Sequence, residues 1–217
     1  MTDPRLVEIF PVLGLRVACG PLELRSIGES EVLGLLEVAR AGVHPPTWTP
    51  FAVPWTDAAE DELPLNYLQW WWRSMATWSR DAWDLNLAVL WNGELVGVQG
   101  VATRDFLTLR FGETGSWLGQ RFQGLGIGTE MRRVMCTLLF DHLDFEFVTS
   151  AAFDDNLASL RVSEKVGYTQ NGATWVSSRG ERRTSTRLML ASEDLVRGEP
   201  ISVEGVAGVR RLIGLDG

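Results

Sequence analysis

Apolar positions recur along this chain in two rhythms, and the switches between them mark out its elements. Leu13–Ala18 and Leu22–Ser26 flank Cys19-Gly20-Pro21 and read as two short extended pieces. Glu29–Arg40 carries Val32, Leu35, Leu36 and Ala39 on one helical face. Prolines 45, 46, 50 and 54 break up residues 41–57 into a loop or short interrupted helices. Thr56 or Asp57 can cap a helix over about Ala58–Arg80, where Leu68, Trp71, Trp72, Met75 and Trp78 form one apolar stripe. Trp70 falls off that stripe, so an exposed indole there marks a subunit contact or a substrate wall.

Further on, Leu85–Trp91 and Glu94–Val101 flank Asn92-Gly93, a strong hairpin signal. Leu107–Leu118 reads as a strand, Gly126–Asp141 as a helix, Phe145–Ala152 as a strand and Asn156–Lys165 as a helix. Tyr168–Val176 and Arg182–Leu190 are two strands joined by a turn at Ser178-Arg-Gly-Glu. The order ββαβαβ after N-terminal helices predicts an α/β fold, a mixed sheet with helices on both faces. Residues 1–192 read as a single domain. The Gly-rich stretch 193–217 reads as a tail, whose Ile201–Leu215 forms a strand or packs on a partner.

Composition narrows the classes. With 217 residues, the chain suits one large domain. A net charge of −8 argues against a nucleic-acid partner, which demands a basic face. No apolar run approaches the ~18 residues of a membrane helix. Met1-Thr-Asp-Pro-Arg lacks a basic segment followed by an apolar core, so the expected location is the cytoplasm. Cys19 and Cys136 lie far apart and read as buried thiols, and with only His44 and His142 no histidine metal cluster is expected.

The chemistry centres on Gln123-Gly124-Leu125-Gly126-Ile127-Gly128, which runs straight into the helical stretch Thr129–Phe140. Alternating glycines between a strand and a helix let backbone N–H groups crowd an anion at the helix N-terminus. A tight turn before a helix is the competing reading. A nucleotide P-loop needs Gly-Lys-Ser/Thr, and Gly128 is followed by Thr129-Glu130. The dinucleotide fingerprint G-x-G-x-x-G belongs in a first βα turn, whereas this run is G-x-G-x-G near mid-chain.

The run resembles the acyl-CoA pyrophosphate loop of GCN5-related N-acetyltransferases (GNAT), Gln/Arg-x-x-Gly-x-Gly/Ala, with Gln123, Gly126 and Gly128 at its defined positions. Asn156-Leu-Ala-Ser159 through Lys165-Val-Gly167-Tyr168 is similar to the family's Asn-x-x-Ala/Ser helix and its Lys-x-Gly-Phe/Tyr end. Gly115-Ser116-Trp117-Leu118-Gly119 resembles the strand of the subgroup that acetylates ribosomal-protein N-termini, RimJ/RimL-like. The resemblance covers about residues 85–190. It implies a GNAT fold, with a mostly antiparallel central sheet of about seven strands.

The resemblance also implies an acetyl-CoA co-substrate, with succinyl-CoA or another acyl-CoA second, and no metal. The amine acceptor is a protein N-terminus or a small molecule. Trp117 and Leu118 would bind the pantetheine arm through their backbone. Gln123, Gly124, Gly126, Gly128 and Thr129 would hold the diphosphate, with Asn156 and Ser159 nearby. Asn156 also suits a helix N-cap. Arg121, Arg132 and Arg133 can add positive charge, although a solvated helix face is the preferred reading of Arg132 and Arg133. Many members carry a tyrosine where this chain has Ser163, a poorer acid that assists the leaving thiolate or is a helix-surface hydroxyl. Glu113 is the leading general base, against a solvent-facing carboxylate. Trp48, Trp55 and a tryptophan of the 58–80 helix would wall the acceptor pocket, and a homodimer fits the Trp-rich helix. A non-catalytic acyl-CoA-binding module is the alternative function.

Overall fold

The computed structural model describes residues 3–216. In chain order the elements are α1 (Pro4–Ile9), β1 (Arg16–Cys19), β2 (Leu22–Ser26), α2 (Glu29–Arg40), α3 (Leu63–Ala76), β3 (Asp84–Trp91), β4 (Glu94–Thr103) and α4 (Phe106–Leu109). Then follow β5 (Phe111–Leu118), α5 (Ile127–His142), β6 (Phe147–Phe153), α6 (Leu157–Val166), β7 (Thr169–Ser178), β8 (Glu181–Ala191), β9 (Ser202–Glu204) and α7 (Val206–Leu212).

All nine strands join one sheet in the order β7-β8-β6-β5-β4-β3-β2-β1-β9, two more than the sequence reading. Every pairing is antiparallel except β5 with β6. Within 85–190 the expected strands and helices are all present, apart from the first residues of the strand read over Leu107–Leu118. Of the two readings of Ile201–Leu215, the strand holds for its first residues, β9, which pairs with β1, Arg16 facing Glu204 from the other end of the chain. Beyond β9, α7 buries Val209, and Ile213 follows it into the main core.

Three element boundaries move. The helix expected at 58–80 begins at Leu63, because Trp55–Asp57 forms a separate 3₁₀ turn and Pro64 is tolerated only in a first helical turn. Its buried positions are Leu63, Tyr67, Trp71 and Ser74, whereas Trp72 is 50% exposed and stands off the core face. Residues 107–109, read as the start of a strand, belong to one helical turn, Phe106–Leu109, bracketed by Asp105 and Arg110 in the left-handed region. Pro11–Gly14 is likewise a 3₁₀ turn that delays β1 to Arg16.

Two apolar layers hold the sheet. On one face α5 packs Met131, Met135, Leu138 and Leu139 over Leu118, Val148 and Tyr168. On the other, α2 and α3 bring Leu35, Leu36, Tyr67 and Trp71 against Ala88, Leu90 and Val98. Both cysteines are buried and free, and burial pushes the Cys136 thiol up to about 11. Because thiolate is the reactive species, native protein at pH 8 should leave Cys136 unlabelled by Ellman's reagent over minutes; prompt labelling would contradict this packing.

Candidate active site

β5 and β6 run parallel through only three pairs, Phe111–Phe147, Gly112–Val148 and Glu113–Thr149. Beyond them each strand follows its other neighbour, β5 staying with β4 to Leu118 and β6 with β8 to Phe153. The sheet therefore opens as a fork, and edge groups of residues 114–118 that would have continued the ladder face a gap. Side chains bridge its apex. The Ser150 hydroxyl donates to the Thr114 carbonyl (3.2 Å) and the Thr114 hydroxyl to the Thr149 carbonyl (3.0 Å).

The chain leaves β5 through a 3₁₀ turn, Gln120–Phe122, and enters the glycine run. Gln123 is not aimed outward. Its side-chain amide donates to the carbonyls of Val43 (2.8 Å) and Leu118 (3.0 Å), tying the loop to the end of β5. Gly124 and Gly126 have φ of 77° and 87°, a region that side-chain-bearing residues enter at a cost, and a Cβ on either would point into open space. Among the described residues, none of the backbone N–H groups of 124–128 finds an acceptor, while Thr129 and Glu130 N–H turn back to the Gly126 carbonyl. A continuous row of unspent amides thus opens the 16-residue helix α5, where the helix dipole is positive.

α6 lies beside this row, Val162 being the neighbour that a Cβ on Gly128 would touch. Asn156 caps α6, its side-chain oxygen accepting from the Ser159 N–H (3.1 Å). Ser163 is fully buried, which overturns the reading of a helix-surface hydroxyl, and its oxygen has no hydrogen-bond partner. Arg132 and Arg133 are not a solvated helix face either. Arg132 is 4% exposed, under the fork, and Arg133 pairs with Glu130 (2.7 Å) and donates to the Val196 carbonyl.

The opposite face of the fork is a cleft of about 680 Å³. Glu113 and Trp117 point into it, alternating with Thr114 and Ser116, which point towards α5. Gly100 and Gly115 are register partners in its floor, and a Cβ on Gly115 would meet nothing within 4 Å. Trp55, Trp70, Trp117 and Phe51 supply an aromatic wall; the rings of Trp55 and Trp117 lie 5.6 Å apart. The wall segment is tied down by Arg179 to Asp57 (2.6 Å) and by the Ser178 hydroxyl to the Phe51 carbonyl (2.9 Å). Among the described residues no group of three or more His, Cys, Asp and Glu could hold a metal ion, and no helix is long and apolar enough to cross a membrane.

A family model described as "Acetyltransferase (GNAT) domain" matches residues 22–169. The chain belongs to this family. A curated relative, YdaF of Bacillus subtilis (strain 168), whose name proposes a ribosomal N-acetyltransferase, is 32% identical over 98 residues. That match takes in 44% of this chain and 53% of YdaF, so it spans about half the length of that relative. Among solved structures, Mycobacterium smegmatis RimJ in complex with a CoA disulfide superposes with a TM-score of 0.70 at 18% identity, covering 85% of this chain and 88% of RimJ. RimL, a ribosomal L7/L12 α-N-protein acetyltransferase in complex with coenzyme A, gives 0.64 at 18% identity, covering 80% and 95%. At such identity these likenesses show the GNAT fold.

Within this GNAT domain, Trp117 and Leu118 close β5, while Gly124, Gly126, Gly128 and Thr129 lead into and open α5. Asn156, Ser159 and Ser163 stand on the neighbouring α6, and Glu113 sits at the apex of the fork on the cleft side. Trp70, off the apolar stripe, is a wall of the cleft. Trp48 is not a lining residue; its indole N–H instead holds Asp155 (3.0 Å). Sequence reasoning missed Phe51, Asn86, Arg104 and Arg187, which reach the cleft from four different segments. Nothing local marks them.

Proposed function

We propose that the protein is an acyl-CoA-dependent N-acyltransferase that moves an acyl group from a CoA thioester directly to a primary amine. The row of unspent amides at 124–128, opening beside a forked sheet, is the observation that carries this reading. Those amides and the α5 dipole suit a diphosphate. The gap in the ladder suits an extended arm with amide groups of its own, since free N–H and C=O groups of β5 can bond to it. Trp117 and Leu118 would provide such contacts, one N–H polarising the thioester oxygen. Acetyl is the first-choice donor by family and succinyl the second.

The amine enters from the cleft. Its nitrogen attacks the thioester carbon, the C–S bond breaks with its electron pair on sulfur, the amine loses a proton to Glu113 or water, and the thiolate is protonated. The buried, unpartnered Ser163 hydroxyl is suited to hydrogen-bond that sulfur. Holding the two substrates in line supplies the largest share, since effective molarities are worth roughly 7–11 kcal/mol. A protein α-amine with pKa ~8 costs only about 1.4 kcal/mol to deprotonate at pH 7, against about 4.6 for a lysine at ~10.4. An α-amine is therefore the favoured acceptor class, in keeping with the ribosomal-protein acetyltransferases among its relatives.

Thiol release from acetyl-CoA in the presence of α-amine peptides and small amines tests the activity directly. Tight CoA binding without release for any amine would favour a non-catalytic acyl-CoA-binding module instead. Glu113→Gln should lower turnover at least about tenfold at pH 7 with little change in donor affinity. Unchanged turnover would remove Glu113 from the mechanism.

A further inference from the structure

Transfer of an uncharged acyl group leaves the arginine beneath the fork unexplained. Arg132 is 4% exposed and makes no ion pair among the described residues. Its Nε donates to Gln99 Oε1 (3.4 Å), Nη1 to Ser150 Oγ (3.2 Å) and Nη2 to Ser116 Oγ (2.9 Å). A guanidinium has five N–H groups, so these three bonds leave two to spare. All three acceptors are neutral. They orient the charge without neutralising it, and burying a cation costs several kcal/mol that a paired anion ordinarily offsets. The Tyr168 ring, with its centroid 5.9 Å away, offsets only a fraction.

The position is as telling as the charge. Ser150 on β6 directly follows the last parallel pair and Ser116 on β5 lies three residues beyond it, so the guanidinium bridges the two strands where they part. Ser116 also lines the cleft, which gives the apex an opening. Arg187 stands across the gap on the other face, opposite Ala151, in the cleft and without an ion pair among the described residues. Two uncompensated cations therefore flank one gap in the sheet.

We propose that the apex of the fork is a carboxylate-binding pocket, with Arg132 as its specificity residue, and that the preferred donor is a thioester of a short dicarboxylic acid. The idea rests on the reading of the site as an acyl-CoA-dependent transferase and reverses the order of donors given there. The thioester carbonyl would lie on the β5 backbone, the chain would run to the apex, and the free carboxylate would take the two spare N–H groups. The serine hydroxyls can rotate aside to admit it.

The test competes acetyl-CoA against succinyl-CoA in single turnovers of the full chain with one α-amine peptide, weighing the products by mass. Wild type should favour succinyl at least about tenfold in kcat/KM, the scale of a charge-assisted bidentate contact. Arg132→Gln should lose that preference through the KM for succinyl-CoA, with the acetyl reaction changing less than about threefold; Arg132→Lys should restore part of it. Ser150→Asp keeps the guanidinium but supplies a carboxylate from the protein, and should abolish the preference even where Arg132→Gln fails to fold. A wild-type preference for acetyl, or equal losses for both donors in either variant, would overturn the proposal while leaving the transferase reading intact. Failure of wild type to bind either thioester by calorimetry would overturn both together.

Discussion

Replacing Gly115 with valine should leave the fold intact and lower amine acylation about a hundredfold or more, the penalty for displacing reacting groups by an ångström or so. Gly115 faces its register partner Gly100 in the cleft floor between Glu113 and Trp117, and a Cβ there meets no atom within 4 Å. The branch point of the new side chain therefore stands in open space. Valine suits a strand, and removing a glycine restricts the unfolded chain, so thermal stability should hold or rise slightly. The two methyl groups would instead occupy the space where an amine approaches the fork. CoA affinity should fall far less than turnover, because the amide row lies beyond Leu118, past the end of β5. Full turnover by a folded Gly115→Val protein would show that the acceptor does not use this cleft.

The second large effect belongs to the loop. Gly126→Val should weaken CoA binding by about 30-fold or more, measured by calorimetry, since each lost hydrogen bond to a charged group is worth about 1.5–3 kcal/mol. Gly126 sits at φ 87°, where a β-branched residue is strained by about 1–3 kcal/mol and would turn the peptide units on either side. The loop is exposed, so the cost in melting temperature should be a few degrees, roughly 2–4 °C per kcal/mol for a chain of this size. Undiminished CoA affinity in this variant would remove the amide row as the diphosphate site.

Local signals in the sequence carried far. Asn92 and Gly93 both adopt the left-handed conformation that a two-residue hairpin requires, and α2 spans the residues that its apolar spacing marks. The glycine run and the α6 cap were readable for the same reason, since each is decided within a few residues. Where reading failed, distant contacts decide. The helix expected over 58–80 starts only at Leu63, after a 3₁₀ turn at Trp55–Asp57 and with Pro64 in its first turn, and the apolar spacing from Leu68 onward does not mark that start. Trp72 keeps helical spacing with Leu68 and Met75 but lies beyond the edge of the buried stripe. Arg132 looks like any arginine on a surface helix until Gln99, Ser116 and Ser150 arrive from three strands to enclose it. The cleft-lining Arg187 and Asn86 have no motif because the sheet alone assembles them.

The pairing of β9 with β1 has a consequence for how the molecule is made. Val17, on β1, belongs to the same core as Val209 and Ile213. On a ribosome delivering the chain from its N-terminus, that first strand has to wait for nearly two hundred further residues before its last neighbour exists. In the interval its outer edge is an unpaired strand edge, a template onto which extended segments of neighbouring nascent chains can zip.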